Sequence, residues 1–243
     1  MADGAGASGL ADREATMRAE DALAALRAQG DPARAAEMAA YHKADREYLG
    51  LSNAVTGALA TEWRKAAADQ AALVELARGL WDSDVFEARV AAGKLFVQAR
   101  MRPDDALAWG WIESVVPAFD SWAIADAVAQ GGQKRVAQVP ERMDVLVEWT
   151  RSEHLWTRRA AFVFALPFCK ARHPSAVERA ARARVFEWAE RLADDHEWFI
   201  QKAIGWWLRD LSKRDAEAVR GWLDAHGERL KPFARKEASR YLR

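Results

Sequence analysis

FIQKAIGWWLRD, residues 199–210, combines a helical apolar repeat with two adjacent tryptophans. The apolar residues recur at spacings of three and four, which predicts an amphipathic helix with one face in a core. That face consists of Ile200, Ala203, Ile204, Trp207 and Leu211. Neighbouring helix positions point about 100° apart, so Trp206 lies off this face, between Lys202 and Arg209. We therefore predict that Trp207 is buried and Trp206 exposed, the alternative being that both pack against different neighbouring helices.

Three other stretches resemble this helix, because each opens with an aromatic residue, has Arg or Lys three positions later and continues with small and large apolar residues. They are FEARVAAGKLF at 86–96, WTRRAAFVF at 156–164 and FARKEASRYL at 233–242. Successive starts are 70, 43 and 34 residues apart, and FDSWAIADAV at 119–128 divides the longest interval. A repeat of roughly 35 to 45 residues with two helices per unit is typical of HEAT-type α-solenoids. The sequence thus predicts an all-α solenoid of HEAT-like repeats with a concave groove.

The rest of the chain agrees with an all-helical fold, since no alternating strand pattern of useful length occurs. Proline and acidic residues that favour a first helical turn precede several amphipathic runs. These signals are Asp31-Pro32, Ser83-Asp84, Pro103-Asp104, Pro140-Glu141, Pro174-Ser175 and Asp194-Asp195. We predict about a dozen helices, a flexible tail at residues 1–9, a single repeat domain at residues 10–243, and a turn or loop at GGQK, 131–134.

Composition excludes several classes of protein. The longest uncharged apolar run, residues 160–169, is far shorter than the roughly 20 residues that cross a bilayer. The N-terminus has no signal-peptide pattern, and the single cysteine, Cys169, allows no internal disulfide. The five histidines have no metal-ligand spacing, and no phosphate-binding loop occurs. We expect a cytoplasmic protein without metal, cofactor or membrane contact.

The net charge is zero, yet charge is unevenly distributed along the chain. Residues 151–243 contain 20 basic and 13 acidic side chains, whereas residues 1–150 contain 16 basic and 23 acidic ones. The C-terminal part could therefore bind a polyanion, although basic, solvated helix faces account for the surplus equally well.

Two further stretches place polar residues off the core face. In FDSWAIADAVAQ, Ile124 and Val128 form the apolar face, while Trp122 and Asp126 stand together on another face at a spacing of four. A solvated surface is the simpler interpretation of that pair alone. After Trp156, the adjacent Arg158 and Arg159 point to different sides, and periodicity does not decide which of them faces a ligand.

These motifs together resemble the DNA alkylation repair family of HEAT-like repeat DNA glycosylases. The resemblance extends from about Asp31 to the C-terminus and is carried by WxxxD at 122–126, WTRRAA at 156–161, WFIQKAIGWWLRD at 198–210 and PFARKEA at 232–238. It implies an α-solenoid that binds duplex DNA in a basic concave groove. It also implies excision of positively charged N-alkylated purines of the 3-methyladenine and 7-methylguanine type, with no cofactor. We expect the protein to be a monomer.

Site residues follow from the resemblance by position. It implies that Asp126, Trp122 and Trp206 are the catalytic residues, with Asp126 stabilising an oxocarbenium-like sugar as the N-glycosidic bond is hydrolysed. It also implies DNA contacts by Arg159 and Tyr41, and we add the basic residues Arg158, Lys202, Arg209, Arg235 and Lys236 as candidates for binding phosphates. The alternatives are a non-catalytic family member that binds DNA and an α-solenoid scaffold that binds protein. Family members often have an acidic residue where this chain has Ala123.

Overall fold

The computed structural model describes residues 17–242, and this part of the chain forms thirteen α-helices. In chain order, α1 to α13 are Ala19–Arg27, Pro32–His42, Asn53–Ala66, Gln70–Asp82, Phe86–Lys94, Ala106–Val115, Trp122–Gln138, Met143–Trp149, Leu155–Phe164, Ala176–Arg191, Trp198–Ser212, Ala216–His226 and Pro232–Ala238. Within the same residues, extended pairing is limited to an isolated bridge between Glu47 and Val85. The expected all-α fold is confirmed, whereas the tail expected at residues 1–9 lies outside the described residues.

The starts of several helices follow from side chains that satisfy free backbone N–H groups. Asp31 accepts hydrogen bonds from the backbone of the first turn of α2, and Pro32 follows as its first residue. Ser175 and Glu178 form a reciprocal capping box at the start of α10. Other predicted starts are shifted: α5 begins two residues after Ser83-Asp84, and Pro140-Glu141 open a short 3₁₀ turn before α8.

The helices form two layers. In the inner layer α3, α5, α7, α9, α11 and α13 each pack against the next, so that one helix of every pair contributes to a continuous surface. Helices α4, α6, α8 and α12 pack on the other side of this row, and α10 packs on the 3₁₀ turn that follows α9. The helices that resemble one another in sequence, α5, α9, α11 and α13, all belong to the inner layer.

The core face predicted for α11 is confirmed. Its apolar residues are buried, and the Trp207 side chain is 0% exposed. It meets Phe186 edge to face, with ring centroids 5.4 Å apart. Trp206 lies off this face but is only half-buried, so the expectation of an exposed indole is too strong. The reason is tertiary, because Trp206 packs in a cleft between α11 and α13.

The predicted loop at 131–134 is wrong, because these residues continue α7 to Gln138. A pair of glycines weakens a helix, which is why the pattern suggested a break. In the fold, a Cβ on Gly132 would lie 2.0 Å from the ring of Phe164 at the end of α9. The glycine therefore permits close packing of two helices, which local sequence does not reveal.

Gly205 in α11 has a comparable packing role. A Cβ there would lie 2.9 Å from the carbonyl oxygen of Ala234 in α13, so the absent side chain lets the two helices approach closely. The space beside Gly205 is thus occupied by the protein itself. No helix in residues 17–242 is long and apolar enough to cross a membrane.

Candidate functional site

The first candidate region lies at the start of α7, where Ser121 caps the helix and Trp122 is its first residue. Ile124 and Val128 are fully buried, whereas Trp122 and Asp126 remain partly exposed, as their spacing predicts. Tyr41, at the end of α2, is 69% exposed and approaches Trp122 edge to face, with ring centroids 6.1 Å apart. The structure thus brings together three of the residues that the sequence selects.

Asp126 is held by Arg159 of the neighbouring helix α9. The two guanidinium nitrogens Nη1 and Nη2 of Arg159 lie 2.6 and 3.2 Å from the carboxylate oxygens, which is a bidentate ion pair. The Arg159 side chain is only 5% exposed, while that of Asp126 is 29% exposed. Arg159 therefore orients the carboxylate from the protein side and leaves part of it open to solvent.

A cavity of about 390 Å³ adjoins Trp122 and Asp126. Helices α2, α3, α5 and α7 contribute its walls, which combine aromatic and apolar groups with a few polar ones. They include Arg34, His42, Asn53, Phe86, Glu87, Trp122, Asp126 and Gln130. A mostly apolar cavity with a few converging polar groups is the usual form of a ligand site. Sequence patterns do not predict this cavity, because its walls come from four helices.

Two polar residues that the sequence analysis missed lie in its wall. His42 packs between Phe86 and Trp122, with ring centroids 4.6 and 5.2 Å away. Burial lowers the pKa of His42, with the nearby Glu87 acting in the opposite direction, so the imidazole is uncharged at neutral pH. The Glu87 carboxylate accepts hydrogen bonds from the backbone N–H groups of residues 49 to 51. It therefore fixes the loop between α2 and α3 that carries this side of the cavity.

The second candidate region is a cleft of about 360 Å³ between α11 and α13. It is lined by Trp198, Lys202, Trp206, Arg209, Phe233 and Glu237. Trp198 is 46% exposed, stacks on Phe233 at 5.5 Å and has the Lys202 ammonium 4.6 Å above its ring. Aromatic faces beside exposed cations are typical of nucleic-acid contacts.

Trp206 is anchored within this cleft by its own helix. Its indole Nε1 donates a hydrogen bond to the Asp210 carboxylate at 3.1 Å. The other carboxylate oxygen of Asp210 accepts hydrogen bonds from Arg209 at 3.1 Å and from Lys213 at 2.8 Å. Asp210 was not among the residues selected from the sequence, although WWLRD at 206–210 repeats the WxxxD spacing of 122–126.

Aromatic side chains connect the two regions. Arg159 lies 6.0 Å from the ring of Trp156, and Trp156 contacts Phe199 with ring centroids 4.6 Å apart. Phe199 in turn meets Trp198 at 4.9 Å. A row of aromatic and charged side chains therefore runs along the inner layer from α7 to α13.

The remaining basic candidates differ in how free they are to bind an anion. Arg158 turns away from the row, with Nε 3.2 Å from Asp195, and donates to the carbonyl oxygens of Ser152 and Glu153. Arg209 is paired with Asp210 and Glu237, and the exposed Arg235 is paired with Glu228. Lys202 and Lys236 are exposed. Of the candidates, the two lysines are the most accessible cations.

Comparison with known proteins decides the family. A family model described as DNA alkylation repair enzyme matches residues 22–242. The chain belongs to this family. The matched residues include all helices of the inner row and both WxxxD segments. No curated protein sequence matches it significantly.

Two solved structures show how far the family likeness extends. A protein from Enterococcus faecalis, described as a predicted DNA alkylation repair enzyme, is 25% identical with a TM-score of 0.73, covering 88% of this chain and 97% of that one. AlkD2 from Streptococcus mutans is 20% identical with a TM-score of 0.58, covering 79% of this chain and 90% of that one. The second likeness establishes the helical-repeat fold alone.

Proposed function

We propose that this member of the DNA alkylation repair enzyme family is a DNA glycosylase that acts on positively charged N-alkylated purines in duplex DNA, of the 3-methyladenine and 7-methylguanine type. The observation that carries the proposal is the Asp126 carboxylate, which is partly exposed beside Trp122 and oriented by the bidentate pair with Arg159. Asp126 is the only carboxylate among the residues selected from the sequence, whereas Asp210 and Glu237, which are also partly exposed, are both paired with Arg209 in the second region.

The chemistry of such a lesion needs no strong acid. Alkylation at N3 or N7 gives the purine a positive charge, so the base leaves as a neutral molecule without prior protonation. As the bond to C1′ breaks, positive charge develops on the deoxyribose. A fixed carboxylate next to this sugar stabilises the charge electrostatically and can orient the attacking water. Asp126 supplies that group.

The surrounding side chains bind and position the DNA. Trp122 and Trp206 would contact the sugar and backbone near the lesion, and aromatic faces attract cationic groups by roughly 0.5 to 2 kcal/mol. His42 is uncharged at neutral pH, because burial lowers its pKa, so it does not repel a cationic base. Lys202 and Lys236 would bind phosphates, which positions the duplex without reading its sequence.

Single-turnover release of 7-methylguanine and 3-methyladenine from methylated duplex DNA tests the proposal. We expect the wild-type protein to release both bases and Asp126→Asn to release them much more slowly. The exposed Asp144→Asn, on α8, is a matched control for the loss of one carboxylate. Tight, salt-dependent duplex binding without base release would instead identify a non-catalytic DNA-binding member, and the absence of both would favour a protein-binding scaffold.

A further inference from the structure

The indole of Trp206 is restrained by a hydrogen bond although the side chain is only partly buried. Its single polar atom, Nε1, donates to the Asp210 carboxylate one helical turn away at 3.1 Å. The adjacent Trp207 offers a contrast, because its Nε1 is buried without a hydrogen-bond partner among the described residues and its ring is held by packing. Trp206 packs against the core but is only partly buried, so the hydrogen bond to Asp210 adds a restraint on its orientation.

Asp210 is itself fixed from several directions. Arg209 and Lys213 bind the oxygen that Trp206 does not use, and Arg209 continues to Glu237 on α13. Burial of Asp210 opposes its ionisation, but Lys213 and Arg209 outweigh this effect and lower its pKa. The carboxylate therefore stays charged at neutral pH and remains a strong acceptor for the indole N–H.

We propose that Asp210 is a positioning residue that holds the Trp206 indole in the orientation in which it contacts DNA. The proposal rests on the proposed function, because it assumes that Trp206 takes part in excision. A side chain that must contact its target within a fraction of an ångström loses effectiveness when it samples several rotamers. In the free protein, the hydrogen bond to Asp210 holds the Trp206 side chain in one of these rotamers.

A double-mutant cycle measured by single-turnover excision of 7-methylguanine tests this role. We expect Asp210→Ala to slow excision about tenfold, equivalent to about 1.4 kcal/mol, and to leave duplex affinity nearly unchanged. Asp210→Asn keeps an acceptor oxygen and should remain within about threefold of wild type. In a Trp206→Phe background, which lacks the indole donor, Asp210→Ala should have no further effect. Asp224→Ala, an exposed carboxylate lost from α12, is the matched control.

A spectroscopic readout separates this proposal from the proposed function. In a ¹⁵N-labelled protein, the Trp206 indole signal, assigned by its loss in Trp206→Phe, should shift in Asp210→Ala and exchange its proton faster with solvent. An unchanged signal overturns the proposal, whether or not the wild-type protein releases a base. A double variant slower than Trp206→Phe alone also overturns it, because Asp210 would then act by another route. Absence of excision by the wild-type protein contradicts the proposed function, and the indole signal still tests whether Asp210 holds Trp206.

Discussion

The helices α7 and α11 contain the same short pattern, a half-buried tryptophan followed four residues later by an aspartate. In α7, Asp126 turns to Arg159 of the next helix and remains 29% exposed beside the cavity. In α11, Asp210 turns back to its own tryptophan and is neutralised by Arg209 and Lys213. The two carboxylates are almost equally exposed, at 29% and 25%, and differ in their partners. Identical spacing thus leads to two different arrangements, one paired across helices and one bonded to its own tryptophan.

The largest effect should come from the tryptophan that neither aspartate contacts. Trp207→Ala should destabilise the fold by roughly 3 to 5 kcal/mol, because it removes a fully buried ring from the core. Trp206→Ala should change stability less, since its side chain is already partly exposed to solvent. Thermal and urea denaturation of both variants check this ranking. The opposite ranking would show that Trp206 is the structural residue and would remove it from the site.

The two aspartates should differ most in their effect on rate. Asp126→Asn should slow excision by about 10² to 10³, the loss typical of one preorganised electrostatic group, and should leave DNA affinity nearly unchanged. Asp210→Asn should slow it far less. Both variants are measured in single-turnover excision under saturating enzyme.

The Asp126→Asn variant leaves Arg159 as a buried charge without its counterion, which destabilises the fold. The double variant Asp126→Asn/Arg159→Gln restores charge balance and serves as the control for this effect. It should recover stability without recovering the excision rate. A recovered rate would mean that Asp126 acts only by keeping the fold intact.

The next largest effect should come from Arg159, in the first region. Arg159→Ala should weaken duplex binding about tenfold for every sequence alike, because the unpaired Asp126 then repels phosphates. It should also slow excision, since the carboxylate loses its orientation. Arg159→Lys keeps the charge but not the bidentate geometry, so we expect it to restore affinity more than rate. Equal recovery of affinity and rate would show that the bidentate contact is unimportant.

The smallest effect should come from an exposed cation of the second region. Lys202→Ala should weaken duplex binding about two- to fivefold and lower the slope of log affinity against log salt concentration by about one. Lys170→Ala, in the turn after α9, removes an exposed lysine away from the cleft and is the matched control. Binding titrations at several salt concentrations measure both. Equal slopes for the two variants would place the DNA elsewhere on the protein.

The helical-repeat fold can be predicted from the sequence because the apolar spacing of the inner helices is regular. Sequence reasoning also separated Trp206 from Trp207 and Trp122 from Ile124, since helix geometry alone assigns these faces. It could not find the Arg159–Asp126 pair, which joins residues 33 positions apart. The cavity was missed for the same reason, because its walls meet only after four helices pack. The repeated WxxxD spacing could have indicated Asp210. It could not have predicted the direction of the Asp210 side chain, which depends on Arg209 and Lys213.

The close contact between Gly132 and Phe164 contributes to the spacing of α7 and α9, which lie between the two candidate regions. Each helix of a solenoid contacts only its neighbours, so a change of spacing at one contact moves every helix beyond it. Asp126 lies on the near side of the contact between α7 and α9, and Trp206 lies on the far side. A methyl group at residue 132 would have to displace the Phe164 ring or move these helices apart. In the proposed function, the distance between the two parts of the protein that would contact a duplex therefore depends on the absence of a side chain at residue 132, which lies in neither candidate region.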